Sequence, residues 1–176
     1  TCFMNISDLT VAVVGLGSIG ARHFNNLNAL GVETIYVLRE RGRSPPVALK
    51  GRVAKEFSSY QMLLDEKPDA VIIANPTHLH YTYLELALQR GIHAYVEKPV
   101  AHEFKSVEHL LSLEKKNKCV CFVGCQLRFD TSLQKIKEWL TEERAGNVLS
   151  ACCDVGEYLP DWHPYEDYRE SYAARA

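Results

Sequence analysis

Val11-Ala12-Val13-Val14-Gly15-Leu16-Gly17-Ser18-Ile19-Gly20-Ala21 carries the decision about the fold. Four apolar, mostly β-branched residues run into three glycines at G-x-G-x-x-G spacing, and Ala21-Arg22-His23-Phe24-Asn25-Asn26-Leu27 continues as a helix. Each glycine answers a separate need. Gly15 permits a tight turn, Gly17 lets the backbone approach a pyrophosphate, and Gly20 lets the helix pack closely on the strand. The N–H groups opening that helix, at Ser18, Ile19 and Gly20, then face phosphate. Glycines can also serve a purely structural crossover, but the strand before them and the helix after them supply the context that a dinucleotide loop requires.

Outward from this loop, short β-favouring runs alternate with helical patterns, the signature of parallel βαβ units. The first helix ends near Leu30, because Gly31 suits a left-handed cap. Strands are expected at 34–38, around 52–57, at 70–74, at 93–96 and at 119–126. Helices are expected from a cap at Ser58 or Ser59 through Lys67, from His78 to Arg90 with Thr77 as a cap, from Glu103 to Asn117, and from Thr131 to Glu143 behind Asp130 as a cap. Ala70-Val71-Ile72-Ile73-Ala74 is apolar throughout, so both of its faces must be covered. The fold class is therefore α/β, a doubly wound parallel sheet of the Rossmann type.

Composition sets bounds on function. The 176 residues carry a formal charge of −2, with 47% hydrophobic and 24% charged residues, as in an ordinary globular protein. No basic excess points to nucleic acid, and no apolar run reaches the roughly 20 residues that span a membrane. The start Thr1-Cys2-Phe3-Met4-Asn5 has no signal-peptide pattern, so a cytoplasmic location is expected. The six cysteines stand at 2, 119, 121, 125, 152 and 153. They lack the C-x₂₋₄-C pairs of a zinc site and read as reduced thiols, with 119, 121 and 125 on one face of an extended strand; no metal is expected.

Ligands of such sheets lie outside the carboxyl ends of the strands, which singles out three places. After the second strand stands Arg39-Glu40-Arg41-Gly42-Arg43-Ser44. Arginines there suit the 2′-phosphate of NADP, and NADP is preferred over NAD, whereas Glu40 would serve NAD. After the fourth comes Asn75-Pro76-Thr77-His78-Leu79-His80, where the proline breaks the strand, Thr77 offers a hydroxyl, and each histidine is an acid–base candidate or a satisfied structural side chain. After the fifth comes Glu97-Lys98-Pro99, a lysine at the ligand edge that is either a surface charge or a proton-handling group.

The ensemble resembles the Gfo/Idh/MocA oxidoreductases. The resemblance rests on Gly-Leu-Gly-Ser-Ile-Gly at 15–20, Asn-Pro-Thr-His-Leu-His at 75–80, Gly91 to Pro99 and Gly124-Cys125-Gln126-Leu127-Arg128-Phe129. It implies hydride transfer between NAD(P) and a carbon of a sugar, nucleotide sugar or polyol. Lys98 is implied as the catalytic group, with Glu97 organising the nicotinamide end. Asn75, Thr77 and His80 are implied along the cofactor, and Gln126 beside the cleft in place of a common asparagine.

The resemblance also divides the chain into a dinucleotide-binding domain at 1–126 and, at 127–176, the truncated start of an α+β substrate and dimerisation domain. Asn147 to Tyr158 reads as that domain's first strand, and a homo-oligomer is expected. Tyr158, Trp162, Tyr165 and Tyr168 suit carbohydrate or simple packing equally. The rival reading is a non-catalytic dinucleotide-binding sensor or inactive relative, which has no need of Lys98. A short-chain dehydrogenase is rejected, because that class wants a tyrosine four residues before a lysine and Tyr95 stands three before Lys98.

Overall fold

The computed structural model describes residues 5–39, 48–101, 104–144, 146–156, 158–162, 167 and 169. The arginine loop beyond Arg39, with Glu40, Arg41, Arg43 and Ser44, lies outside the described residues, as do Glu103, Tyr165 and Tyr168. By its Cα packing the chain divides into a unit of Thr1–Gln126 and a unit of Leu127–Ala176.

In the first unit six strands form one parallel sheet: β1 (Thr10–Val14), β2 (Thr34–Leu38), β3 (Lys55–Phe57), β4 (Ala70–Ile73), β5 (His93–Val96) and β6 (Cys121–Val123). Their order is β3-β2-β1-β4-β5-β6, so the winding reverses between β1 and β4. Four helices join them: α1 (Ser18–Ala29), α2 (Tyr60–Asp65), α3 (Thr77–Gln89) and α4 (Phe104–Asn117). Alternation along β1 feeds two separate cores. Val11 and Val13 pack with Phe24 of α1, Ile35, Val37 and Ile72. Ala12 and Val14 pack on the opposite face with Leu63 and Leu64 of α2, Leu84 and Leu88 of α3, and Leu110 of α4. Period-two alternation therefore puts helices on both faces, which is why the central strands are apolar throughout.

Several boundaries differ from the expectation, each for a local reason. β3 is confined to Lys55–Phe57, because only that stretch keeps register with Tyr36–Leu38 of β2. α2 stops at Asp65, and Lys67 adopts a φ of 53° that ends the helix. Ser59 holds the N-cap position of α2 without a side-chain cap. α3 begins at Thr77 with Pro76 as the N-cap residue, so Thr77 is a helical residue and not the cap. β6 is shorter than predicted: Cys125 N donates to Val123 O and Gln126 N to Gly124 O, and these tight turns pull the chain out of the ladder. The single-face reading of the cysteines holds for Cys119 and Cys121, which pack on the same core, and fails for Cys125, which lies beyond the strand and is exposed. Burial, aided by the Glu114 carboxylate, pushes the Cys121 thiol up to about 11.

A 3₁₀ turn from Gln126 to Phe129 spans the boundary, and the second unit contains α5 (Thr131–Thr141) and the short α6 (Leu159–Trp162). Asp130 caps α5 as expected, its carboxylate accepting from Leu133 N at 3.0 Å. The helix ends before Glu143, which has a φ of 54°. The expected strand at 147–158 is not formed: residues 148–156 are irregular, and Leu149 and Val155 are 95% and 82% exposed. A strand persists only where a neighbour takes its backbone N–H and C=O groups, and no described residue of this unit pairs with it.

Candidate functional site

All six strands are parallel, so their carboxyl ends deliver Gly15–Gly17, Arg39, Asn75–Thr77, Glu97–Lys98 and Gly124 to one edge of the sheet. The reversal of winding between β1 and β4 brings the first and third of these into contact. Gly15 has a φ of +84°, and a Cβ there would lie 2.8 Å from the Asn75 Cα and N. A Cβ on Gly20 would run into the Gly15 carbonyl oxygen. Both positions exclude side chains for steric reasons. Gly17 differs, since a Cβ there would meet nothing within 4 Å. That open space lies at the start of α1, where Gly17 is the N-cap residue and provides no side-chain cap. The first N–H groups of a helix have no intrahelical acceptor, so those of Ser18, Ile19 and Gly20 are left to an outside partner.

Asn75 adds a second sign of a ligand. Its Nδ2 and Oδ1 are both buried and neither has a hydrogen-bond partner among the described residues. Leaving a buried amide unpaired costs roughly 1–3 kcal/mol per group, so such a side chain points to a partner outside the chain. The glycine cradle, the uncapped helix start and this amide together fit the pyrophosphate-bearing backbone of a dinucleotide.

On the fifth strand the residues expected at the nicotinamide end divide their tasks. Lys98 is exposed, joined to Pro99 by a cis peptide bond, and its ammonium has no partner among the described residues. Glu97 is turned inward: its Oε1 accepts from His23 Nε2 at 2.8 Å and from the Tyr95 hydroxyl at 3.4 Å. His23 and Tyr95 meet edge to face with ring centroids 4.9 Å apart. Gly124 makes this cluster possible, because a Cβ there would strike the Tyr95 ring and approach the Glu97 carboxylate at 3.2 Å. Sequence reasoning missed His23, Tyr95 and Gly124; the one available signal was His23 standing three residues after Gly20, on the same helix face.

The His23 hydrogen bond holds the Glu97 carboxyl below its ordinary value against the opposing effect of burial. Burial, followed by the Glu97 charge, raises the Tyr95 phenol. A depressed folded-state value means that Glu97 contributes stability fully above the ordinary carboxylate range, and that this is lost as pH falls through the folded value. Glu97→Gln is therefore expected to cost about 1–2 kcal/mol at neutral pH and to flatten the acid limb of the stability profile. Urea unfolding at pH 7 and below pH 4 checks this; an unaltered acid limb would refute it.

His80 is 1% exposed, with Nδ1 2.8 Å from the Pro99 carbonyl and Nε2 2.9 Å from that of Asn75. Neither nitrogen is left for a cofactor, so His80 ties the loop after β4 to the loop after β5. Thr77 is half-buried, His78 exposed, and Gln126 exposed at the start of the 3₁₀ turn. Arg39 stands at the end of β2, its backbone N donating to Phe57 O and its Nε 3.2 Å from Glu56 Oε1. Glu56 too was absent from the sequence reading. Among the described residues no helix is long and apolar enough to cross a membrane.

Comparison with known proteins agrees with this geometry. The profile of the family described as "Oxidoreductase family, NAD-binding Rossmann fold" matches residues 9–125. The chain is 32% identical over 142 residues to scyllo-inositol 2-dehydrogenase (NAD(+)) of Bacillus subtilis, covering 78% of this chain and 42% of that protein. It is 26% identical over 133 residues to myo-inositol 2-dehydrogenase of Thermotoga maritima, covering 74% and 40% respectively. The crystal structure of the WlbA dehydrogenase from Thermus thermophilus, in complex with NAD and UDP-GlcNAcA, superimposes with a TM-score of 0.64 at 26% identity, covering 77% of this chain and 47% of that one. The chain thus spans less than half the length of these relatives. With the family profile matched from the first strand to the end of the sheet, the chain belongs to the Gfo/Idh/MocA family of oxidoreductases with an NAD-binding Rossmann fold.

Proposed function

We propose that this chain is the cofactor-binding part of a dehydrogenase that moves a hydride between NAD(H) and a CH–OH carbon of a polyol, sugar or nucleotide sugar. The observation that carries the reading is the meeting, at one sheet edge, of an uncapped glycine-cradled helix start with an Asn75 amide and a Lys98 ammonium that have no partner among the described residues. The first two would hold the dinucleotide and the third would work beside it. The relatives named for inositol and the structure holding a nucleotide sugar support the substrate class.

Bound nicotinamide supplies a hydride acceptor or donor at its C4 carbon. Lys98 holds the substrate oxygen and takes its proton during oxidation, returning it during reduction; an exposed, unpaired ammonium is free to reach a hydroxyl. Glu97, bound to His23 and Tyr95, fixes the end of β5 so that Lys98 leaves the strand at a set point. His80 fixes the same loop from the other side through the Pro99 carbonyl. Asn75 and Thr77 line the cofactor beside the glycine loop, with Gln126 at the far side of the edge. The substrate domain would begin in the unit of residues 127–176, and a homo-oligomer belongs to the same reading.

The preference for NADP expected from the arginines after β2 finds no support, because the matched family is NAD-binding. Calorimetric titration of the chain with NAD and NADH is expected to give saturable binding. Absence of binding to a folded preparation at millimolar cofactor would overturn the reading. Binding in a full-length protein that turns over no polyol or sugar would favour the rival, a non-catalytic dinucleotide sensor.

A further inference from the structure

Arg39 presents a conflict that the rest of the site leaves open. The residue ending the second strand of a doubly wound sheet meets the adenosine ribose, and an acid there accepts the ribose hydroxyls of NAD, whereas an arginine takes the 2′-phosphate of NADP. This chain puts an arginine at that point, yet its family is NAD-binding.

The β2–β3 ladder sets an acid beside this arginine. Val37 pairs with Glu56 and Leu38 with Phe57, and Arg39 N donates to Phe57 O at 3.0 Å, so the ladder continues one residue past β2. Side chains alternate along a strand, which puts Val37, Arg39 and Glu56 on one face. That face is the one covered by α1, since Val37 packs with Phe24. Glu56 Oε1 lies 3.2 Å from Arg39 Nε, with side-chain exposures of 51% and 27%. The contact is an ion pair, but not an aligned hydrogen bond, for the buried Nε has no hydrogen-bond partner among the described residues. The guanidinium charge is compensated, and half of the Glu56 side chain remains open at the sheet edge.

We propose that Glu56 is a cofactor-specificity determinant: placed on β3 beside Arg39, it provides an acid next to the arginine that follows β2, accepting the ribose hydroxyls of NAD and repelling the 2′-phosphate of NADP. The proposal rests on the dinucleotide reading above and adds to it a residue and a direction of selectivity. The chemistry follows from charge. A 2′-phosphate drawn to Arg39 must also approach a carboxylate 3.2 Å from that guanidinium, well inside the screening length of about 8 Å at physiological salt. A ribose hydroxyl instead donates to the carboxylate at no electrostatic cost. Glu56 thereby acts where an acid ending β2 would act, from the neighbouring strand.

The test is calorimetric titration of the wild-type chain, Glu56→Gln, and Glu56→Gln combined with Arg39→Ala, each with NAD and with NADP. The glutamine keeps the shape and removes the charge at a half-exposed edge position, and thermal unfolding confirms that each variant is folded. Wild type is expected to favour NAD. Glu56→Gln is expected to tighten NADP and weaken NAD, moving the ratio of dissociation constants about tenfold or more toward NADP. Adding Arg39→Ala should erase the gain for NADP. An unchanged ratio in Glu56→Gln, or a gain for NADP that survives loss of Arg39, overturns the proposal while leaving the dinucleotide reading intact. If the wild type binds neither cofactor, that reading falls and this one falls with it.

Discussion

In the full-length protein, Lys98→Ala is expected to lower turnover by about 10²–10⁴-fold while changing the NAD dissociation constant by no more than about twofold. The split follows from where the lysine stands. Its side chain is exposed and its ammonium has no partner among the described residues, so truncation breaks no ion pair among them and removes little packing. The parts that would hold the dinucleotide lie on β1, α1 and the loop after β4, and they are untouched. On the proposed reading, what disappears is the group that would handle the substrate proton, an interaction needed in the transition state more than in cofactor binding. Steady-state kinetics with an inositol or a nucleotide sugar, beside direct titration of cofactor, measures both halves. Turnover at the wild-type level would remove Lys98 from the chemistry. Equal loss of binding and turnover would make it a cofactor anchor.

Two glycines of one loop are expected to fail in opposite ways. Gly20→Ala introduces a Cβ into the Gly15 carbonyl oxygen, where nothing flexible can yield, so the strand–helix packing must open. Overpacking of a rigid contact costs about 1–3 kcal/mol or more, and a large drop in melting temperature is the expected result. Gly17→Ala introduces the same methyl into open space, with nothing within 4 Å, so the fold should be retained. The added carbon would occupy the ground that a pyrophosphate approaches, and cofactor affinity should fall about tenfold or more. Thermal unfolding and titration of both variants separate the outcomes. Unaltered affinity in Gly17→Ala would show that the loop is a structural crossover.

The difference between the two positions was only partly legible in the sequence. The spacing of Gly15, Gly17 and Gly20 assigns each a task in general terms. Only the folded chain shows that Gly15 abuts Asn75, because these residues lie 60 positions apart and meet through the reversal of winding between β1 and β4. Histidine 80 makes the same point from the other direction. At a helix start after a strand it reads as an acid–base or cofactor-lining residue, yet its ring is enclosed and both nitrogens face carbonyl groups. Periodicity reports which face of a helix a residue occupies but cannot tell whether that face meets a ligand or two neighbouring loops.

What the sequence by itself determined is the element order of the sheet and the ligand edge: runs of strand length, glycine and proline punctuation, and helical patterns between all neighbours in sequence but the second and third strands point to a parallel sheet, and a parallel sheet gathers its carboxyl-terminal loops on one side. What only the tertiary structure decided is which polar groups are already satisfied. His23 reaches Glu97 across 74 positions and Glu56 reaches Arg39 from a neighbouring strand, while Asn75 finds no partner among the described residues. The physical reason is range. Backbone propensity and periodicity act within a few residues along the chain, whereas ion pairing and desolvation depend on distances in space that exist only once the sheet has assembled.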